Sequence, residues 1–267
     1  MKTLNHPVFE ELEVKSTIDG SMEKNLFHHP GGGAKTPMVV GLHTWSADRF
    51  NQIDAMFPEC VKRKWALLLP EFRGPNLTSN PRAAEACASP KAIGDILDAV
   101  ASVVKSHPVD TDRIFLCGGS GGGHMALMTA AASPETWRGV SSWVPITDLE
   151  AWHSQNKNYA PHIEACCGGP PEKSEKVRGE YRKRSPLSHV ERLRVVPLFV
   201  HHGRFDNSVP FTHTLNLARE LERLAPRNFF HEIFDGGHEL RFGQAFEWFD
   251  HLLRKDAQTA KSEVLTG

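Results

Sequence analysis

The segment Leu116-Cys-Gly-Gly-Ser-Gly-Gly-Gly-His124 constrains this 267-residue chain more than any other part of it. It contains Gly-x-Ser-x-Gly as Gly118-Gly119-Ser120-Gly121-Gly122. Before it, Arg113-Ile-Phe-Leu-Cys117 reads as a β-branched and aromatic strand. After it, Gly121 to Ala132 reads as a helix of small residues. A strand that turns at once into a helix pushes the serine between them toward a strained backbone conformation. Positions two residues either side are then pressed against neighbouring backbone, where a Cβ would collide. Such a turn exposes Ser120 Oγ and presents the Gly121 N–H at a helix N-terminus, where negative charge is favoured. The competing reading is a phosphate-binding glycine loop. Laid onto Gly119 and Gly121, Gly-x-Gly-x-x-Gly meets His124 at its last position, and no Walker lysine follows. The spacing points to a nucleophilic serine.

The rest of the chain agrees with a strand–turn–helix context. Strands are expected at Met38–His43, Trp65–Leu69, Arg113–Cys117, Val140–Val144, Pro197–His201 and Phe229–Phe234. Helices are expected over 51–64, 90–107, 121–132, 211–224 and 244–254. Alternation of this kind implies βαβ units, and so an α/β fold: a mostly parallel sheet of about eight strands with helices on both faces. Residues 1–34 alternate like antiparallel edge strands. Residues 71–89 form a long loop rich in Asn, Pro and Ala. Residues 148–194 are an insertion of the kind that serves as a substrate wall or lid. Within it, Lys173 to Arg184 reads as a solvated helix face of mixed charge, and Cys166 and Cys167 as reduced thiols in a loop. The polar tail over 257–267 is expected to be loose. The whole, 1–267, is read as a single domain.

A serine at its free pKa is a weak nucleophile and needs a base held by an acid. In this architecture the chain order is Ser, then Asp or Glu, then His. His238, in Asp235-Gly-Gly-His-Glu, follows the last expected strand and precedes the last helix, so it is the favoured base. His251 lies on the closing helix, and His124 is placed one turn past Ser120, packed against the elbow. Asp206 follows the strand ending at His201, at the carboxyl edge of the sheet, and is the favoured acid; Asp148, Glu150 and Asp235 are its rivals. A second oxyanion donor is expected from the loop after the first parallel strand, Leu42-His-Thr-Trp-Ser-Ala-Asp48, as the backbone N–H of Thr44 or Trp45. Trp45, Trp152, Tyr159 and the segment Phe72–Arg73 are candidates for the substrate pocket. Arg73 is read either as a carboxylate binder or, preferentially, as an anchor of its own loop.

Charge and composition narrow the partners. Thirty-one basic and thirty-two acidic residues leave a net charge of −1, which gives no electrostatic reason to bind nucleic acid or acidic lipid. The longest apolar run, Trp65–Leu69, is far too short to span a bilayer, and the charged N-terminal segment lacks a signal-peptide core. The expectation is a cytoplasmic chain that meets a small-molecule ester or a short peptide, with no membrane partner. Five cysteines without regular spacing argue against a disulfide framework and against a zinc site, so no metal or other cofactor is expected.

At this point the residues resemble the catalytic domain of the prolyl oligopeptidase family, within the α/β-hydrolase superfamily. The resemblance covers roughly residues 35–255. It rests on Asp112-Arg-Ile-Phe-Leu-Cys-Gly-Gly-Ser-Gly-Gly-Gly, Arg184-Ser-Pro-Leu-Ser-His189, Pro197-Leu-Phe-Val-His-His-Gly-Arg-Phe-Asp-Asn-Ser-Val-Pro210 and Gly236-Gly-His238. It implies a cofactor-free serine hydrolase of peptides or esters. Two features depart from the family: the His-Gly dipeptide is replaced by His43-Thr44, and fewer than 40 residues precede the first parallel strand, where the peptidases carry a propeller. The reading is therefore a hydrolase of carboxylic esters working through Ser120, His238 and Asp206. The alternative is a peptidase, gated by homo-oligomerisation, and a non-catalytic binding protein on the same fold is the remote third.

Overall fold

In the computed structural model, residues 8–226 and 228–266 are described, residues 256–266 by their backbone alone. The polypeptide runs β1 (Glu10–Lys15), β2 (Met22–His28), β3 (Thr36–Leu42), α1 (Ile53–Arg63), β4 (Ala66–Pro70), α2 (Pro90–Ser106), β5 (Val109–Gly119), α3 (Gly121–Ala132) and β6 (Gly139–Trp143). It continues with α4 (Leu149–Gln155), α5 (Ala160–Cys167), α6 (Glu175–Lys183), α7 (Val190–Leu193), β7 (Leu198–Gly203), α8 (Thr212–Glu222), β8 (Phe229–Phe234) and α9 (Phe242–Thr266). The eight strands form one sheet in the order β1-β2-β4-β3-β5-β6-β7-β8. β1–β2 and β2–β4 pair antiparallel, and every other pair is parallel. This is the α/β architecture expected from the alternation of strands and helices, with the N-terminal strands at one edge.

The central strands are apolar on both faces because helices cover both. Val40, Leu42, Leu68, Leu116, Val140 and Val200 face one core, which α2, α3 and α8 close. Val39, Leu67, Leu69, Phe115, Cys117 and Trp143 face the other, closed by α1 and α9. Register aligns the strand ends: Gly118 pairs with Leu42 on one side and Ser142 on the other, and Trp143 pairs with His201. The loops after β3, β5, β6 and β7 therefore leave the sheet along one edge, where open α/β sheets build their sites.

The insertion between β6 and β7 folds as α4–α7. Its buried residues Leu149, Trp152, Ile163, Cys166, Cys167, Val177 and Tyr181 form a third core with Trp45, Ala83, Cys87 and Val209. Arg184 pins it to the 71–89 loop by donating to the carbonyls of Ala84 and Ala86, each at 3.1 Å. Three expectations change here. Lys173–Arg184 is not wholly a solvated face, because Val177, Tyr181 and Arg184 turn inward. The Cys166–Cys167 pair ends α5 instead of lying in a loop; both thiols are free and buried, and burial pushes that of Cys167 up to about 12. The segment 257–267, expected as a loose tail, is taken up by α9 as far as Thr266. Among the described residues no helix is long and apolar enough to cross a membrane.

Three imidazoles, His124, His201 and His213, lie inside this packing, and burial pulls each down to about 4. Native chains then bind fewer protons than unfolded ones, whose histidines titrate near 6.5. The stability each neutral ring contributes is whole above pH 6.5 and is lost as pH falls toward 4, at about 1.4 kcal/mol per pH unit. His201 stacks on Trp143 at 3.8 Å and on Phe199 at 3.9 Å. His201→Phe keeps a ring there and should flatten the pH dependence of unfolding free energy in that window by about that slope. Denaturant titrations at stepped pH measure this, and an unchanged slope would contradict it.

Candidate active site

β5 passes into α3 with one residue between them. That residue, Ser120, has φ 56° and ψ −120°, a region L-residues rarely occupy. Two backbone hydrogen bonds hold it: Ser120 N–H donates to the Trp143 carbonyl at 2.8 Å, and His124 N–H donates to the Ser120 carbonyl at 2.9 Å. The flanking glycines are there for room. A Cβ on Gly122 would sit 2.5 Å from the Leu42 carbonyl oxygen, and one on Gly118 would run into the Gly122 carbonyl. α3 is buried on every side, which its small residues permit, and Ser120 keeps 9% of its surface exposed. His124 lies beneath the turn, its Nε2 2.6 Å from the Arg184 carbonyl.

The acid and the base come from the loops after β7 and β8. These loops are tied together: Arg204 N–H donates to Phe234 O at 2.9 Å and Phe205 N–H to Gly236 O at 2.8 Å. His238 Nδ1 donates to Asp206 Oδ2 at 2.7 Å. Asp206 Oδ1 accepts the N–H groups of Ser208 and Val209, both at 2.8 Å. Burial alone would push this carboxyl up, but the hydrogen bonds from His202, His238 and Val209 outweigh it and hold it below the ordinary carboxylate range. Asp206 is fully enclosed, whereas 29% of the His238 side chain meets solvent. With Nδ1–H donated to a carboxylate, the neutral ring carries its lone pair on Nε2. Leu240, two residues after His238, fills the space that a side chain at Gly119 would need. The histidine loop thus lies directly on the serine turn, and the three favoured residues gather at one edge of the sheet. Two of the three rivals are occupied elsewhere: Asp148 caps α4 through Glu150 N–H and Ala151 N–H, and Glu150 pairs with Arg178 at 3.2 Å.

The loop after β3 lies against the same turn. A Cβ on Gly121 would be 2.5 Å from both the backbone N and the Cα of Trp45. Thr44 N–H is already donated, to Asn51 Oδ1 at 3.0 Å. Of the two expected donors, Thr44 N–H is thus already engaged. Trp45 N–H has no acceptor among the described residues, and a first-turn N–H such as that of Gly121 has none within its helix. The peptide that carries Trp45 N–H is braced on both sides. The Thr44 carbonyl faces His43 Nδ1 at 2.9 Å, and the Trp45 carbonyl accepts Asn76 N–H at 2.8 Å. Asn51 and Asn76 were not legible as site residues, since nothing local marks a side chain or loop that reaches back across a turn.

The expected pocket residues divide. Arg73 is buried among carboxylates: Asp95 at 2.9 Å, Asp19 at 2.8 Å, Glu85 at 3.0 Å and Glu23 at 3.6 Å. It has no face left for a substrate carboxylate, and it anchors its loop through ion pairs. Trp152 is buried, with its indole N–H donated to the Ser208 carbonyl at 2.9 Å, and Trp45 packs edge-on against it at 4.8 Å. Both indoles belong to the third core. Tyr159 is half-buried over Trp152, at 4.8 Å between rings, and is the one member of the aromatic set with exposed surface.

Residues 88–256 match the model of the prolyl oligopeptidase family. The chain belongs to that family. Over 123 residues it is 28% identical to an uncharacterized peptidase, YtmA, of Bacillus subtilis, covering 46% of each chain. Over 209 residues it is 26% identical to the acylamino-acid-releasing enzyme of Homo sapiens, covering 72% of this chain and 27% of the human one. The chain therefore spans less than half the length of these curated relatives. Among solved structures, the acylaminoacyl peptidase of Pyrococcus horikoshii superposes with a TM-score of 0.69 at 21% identity, over 86% of this chain and 38% of that one. At that identity the likeness shows the shared fold.

Two substitutions test the geometry. Arg73→Met leaves Asp95 buried and unpaired, which should cost about 3–5 kcal/mol and lower Tm by roughly 10 °C. Calorimetry checks it; an unchanged Tm with a raised KM would return Arg73 to the substrate. Gly121→Ala drives a methyl into the Trp45 backbone. It should lower kcat by roughly 10²-fold or more in protein that remains folded by circular dichroism, because both proposed oxyanion donors move. Full activity would place the oxyanion elsewhere.

Proposed function

We propose that this chain is a serine hydrolase that forms an acyl-enzyme on Ser120. The observation that carries the reading is the 2.7 Å His238–Asp206 bond on a loop packed against the strained serine turn. Ser120 Oγ attacks the carbonyl carbon of the substrate while His238 Nε2 takes its proton. The same imidazole then delivers that proton to the leaving group, and in the second half-reaction it draws a proton from the attacking water. Asp206 holds the ring in the Nδ1–H tautomer and stabilises the imidazolium that forms at each step. Gly121 N–H and Trp45 N–H face the developing oxyanion, each donor worth on the order of 3 kcal/mol in the transition state.

For the bond cleaved, we place the amide of a short peptide or acylated amino acid first. Family membership and the names of the curated relatives, a peptidase and an acylamino-acid-releasing enzyme, support it. The ester preference drawn from the sequence rested on the short segment ahead of β3, which says nothing about the site. The same acyl-enzyme route cleaves esters, so activated esters should also turn over. The test pairs N-acetyl-aminoacyl and free aminoacyl p-nitroanilides with p-nitrophenyl acetate, on the wild type and Ser120→Ala. Anilide turnover that falls roughly 10³-fold or more in Ser120→Ala is the expected result. Ester-only turnover would shift the assignment to a carboxylesterase, and activity surviving in Ser120→Ala would overturn the mechanism.

A further inference from the structure

Asp206 touches a second imidazole that the proposed reaction does not use. His202, on β7, is fully buried. Its Nε2 lies 2.8 Å from the Val209 carbonyl oxygen and 3.3 Å from Asp206 Oδ2. Both of those oxygens can only accept, so Nε2 carries the proton and shares it between them. Nδ1 lies 2.8 Å from Thr214 Oγ1, on α8. A neutral ring has only a lone pair there, so the Thr214 hydroxyl donates to it. The tautomer of His202 is thereby dictated by two elements, the turn after β7 and the first turns of α8.

We infer that His202 is a positioning residue for the Asp206–His238 pair, an inference that rests on the function proposed above. Asp206 Oδ2 receives His238 Nδ1–H, and His202 Nε2–H is the other donor on the same atom. Oδ1 is held by Ser208 N–H and Val209 N–H, and the turn that presents them is tied down by the bond from His202 to the Val209 carbonyl. His202 therefore constrains one oxygen directly and the other through its turn. Thr214, fully buried, keeps the His202 proton on the side facing Asp206. Losing the ring's polar atoms leaves the carboxylate one donor short and its turn free to shift, which misaims the imidazole of His238.

The test uses His202→Phe, His202→Gln and Thr214→Val in the full chain. Sites are counted by stoichiometric fluorophosphonate titration, so that kcat is expressed per titrated site. His202→Phe should lose roughly 10- to 100-fold in kcat per titrated site with KM nearly unchanged, less than the ~10⁴-fold typical of replacing the carboxylate itself. His202→Gln can place an N–H near the Nε2 position and should recover most of that loss. Thr214→Val should show a smaller loss of the same kind, and it serves where His202→Phe does not fold. A buried histidine with only a packing role would instead reduce the number of titratable sites and leave kcat per site at the wild-type value, and that result would overturn the inference. A folded wild-type protein with no titratable serine would overturn the proposed function itself, which is a separate outcome.

Discussion

The geometry of the site depends on β5 and α3 meeting with no loop between them. That junction holds Ser120 at φ 56° and ψ −120°, a conformation that costs on the order of 1–3 kcal/mol. What holds it there is packing. α3 is buried on every side, and its N-terminal glycines let it lie within van der Waals reach of the Leu42 carbonyl and the Trp45 backbone. The same closeness that strains the serine puts the Trp45 N–H, which has no acceptor among the described residues, next to the helix N-terminus. The proposed nucleophile and the proposed oxyanion donors are thus products of one close approach, and a methyl group at the wrong place disturbs both.

Buried charge is handled in two places by the same rule. The Asp206 carboxylate is enclosed and remains an anion because it accepts four N–H groups, from Ser208, Val209, His238 and His202. The Arg73 guanidinium is enclosed and remains a cation among four carboxylates. The first cluster presents the His238 imidazole to solvent; the second presents Asp19 and Glu85, carboxylates already paired with Arg73 and Lys91, and keeps its guanidinium buried. That contrast separates a group able to work on a substrate from one that holds a loop. Phe72 and Arg73 themselves carry φ of 34° and 76°, so the anchored loop is held against its own backbone preference.

The sequence made legible whatever is decided by neighbours along the chain. The Gly-x-Ser-x-Gly turn, the alternation of strand and helix, and the positions of Asp206 and His238 after successive strands are local patterns, and the structure keeps them. Contacts between distant segments were not legible. Asn51 takes the N–H of Thr44 and so leaves Trp45 as the proposed donor, a choice no motif encodes. The partners of Arg73 come from the β1–β2 turn and from α2 as well as its own loop. Trp152 looks like a pocket wall until the insertion is folded, and then its indole N–H meets Ser208 and its ring is core. His202 stands in a segment quoted for its likeness to the family, yet its role emerges only when α8 brings Thr214 to its Nδ1.

The most direct test of the central claim is to treat the folded protein with an alkyl fluorophosphonate and locate the adduct by intact mass and peptide mapping. One adduct per chain is predicted, on the peptide containing Ser120, because that hydroxyl stands on the strained turn against which the loop of the Asp206-held His238 packs, with the Trp45 backbone beside it. A folded protein that takes no adduct, or takes it on another residue, would contradict it.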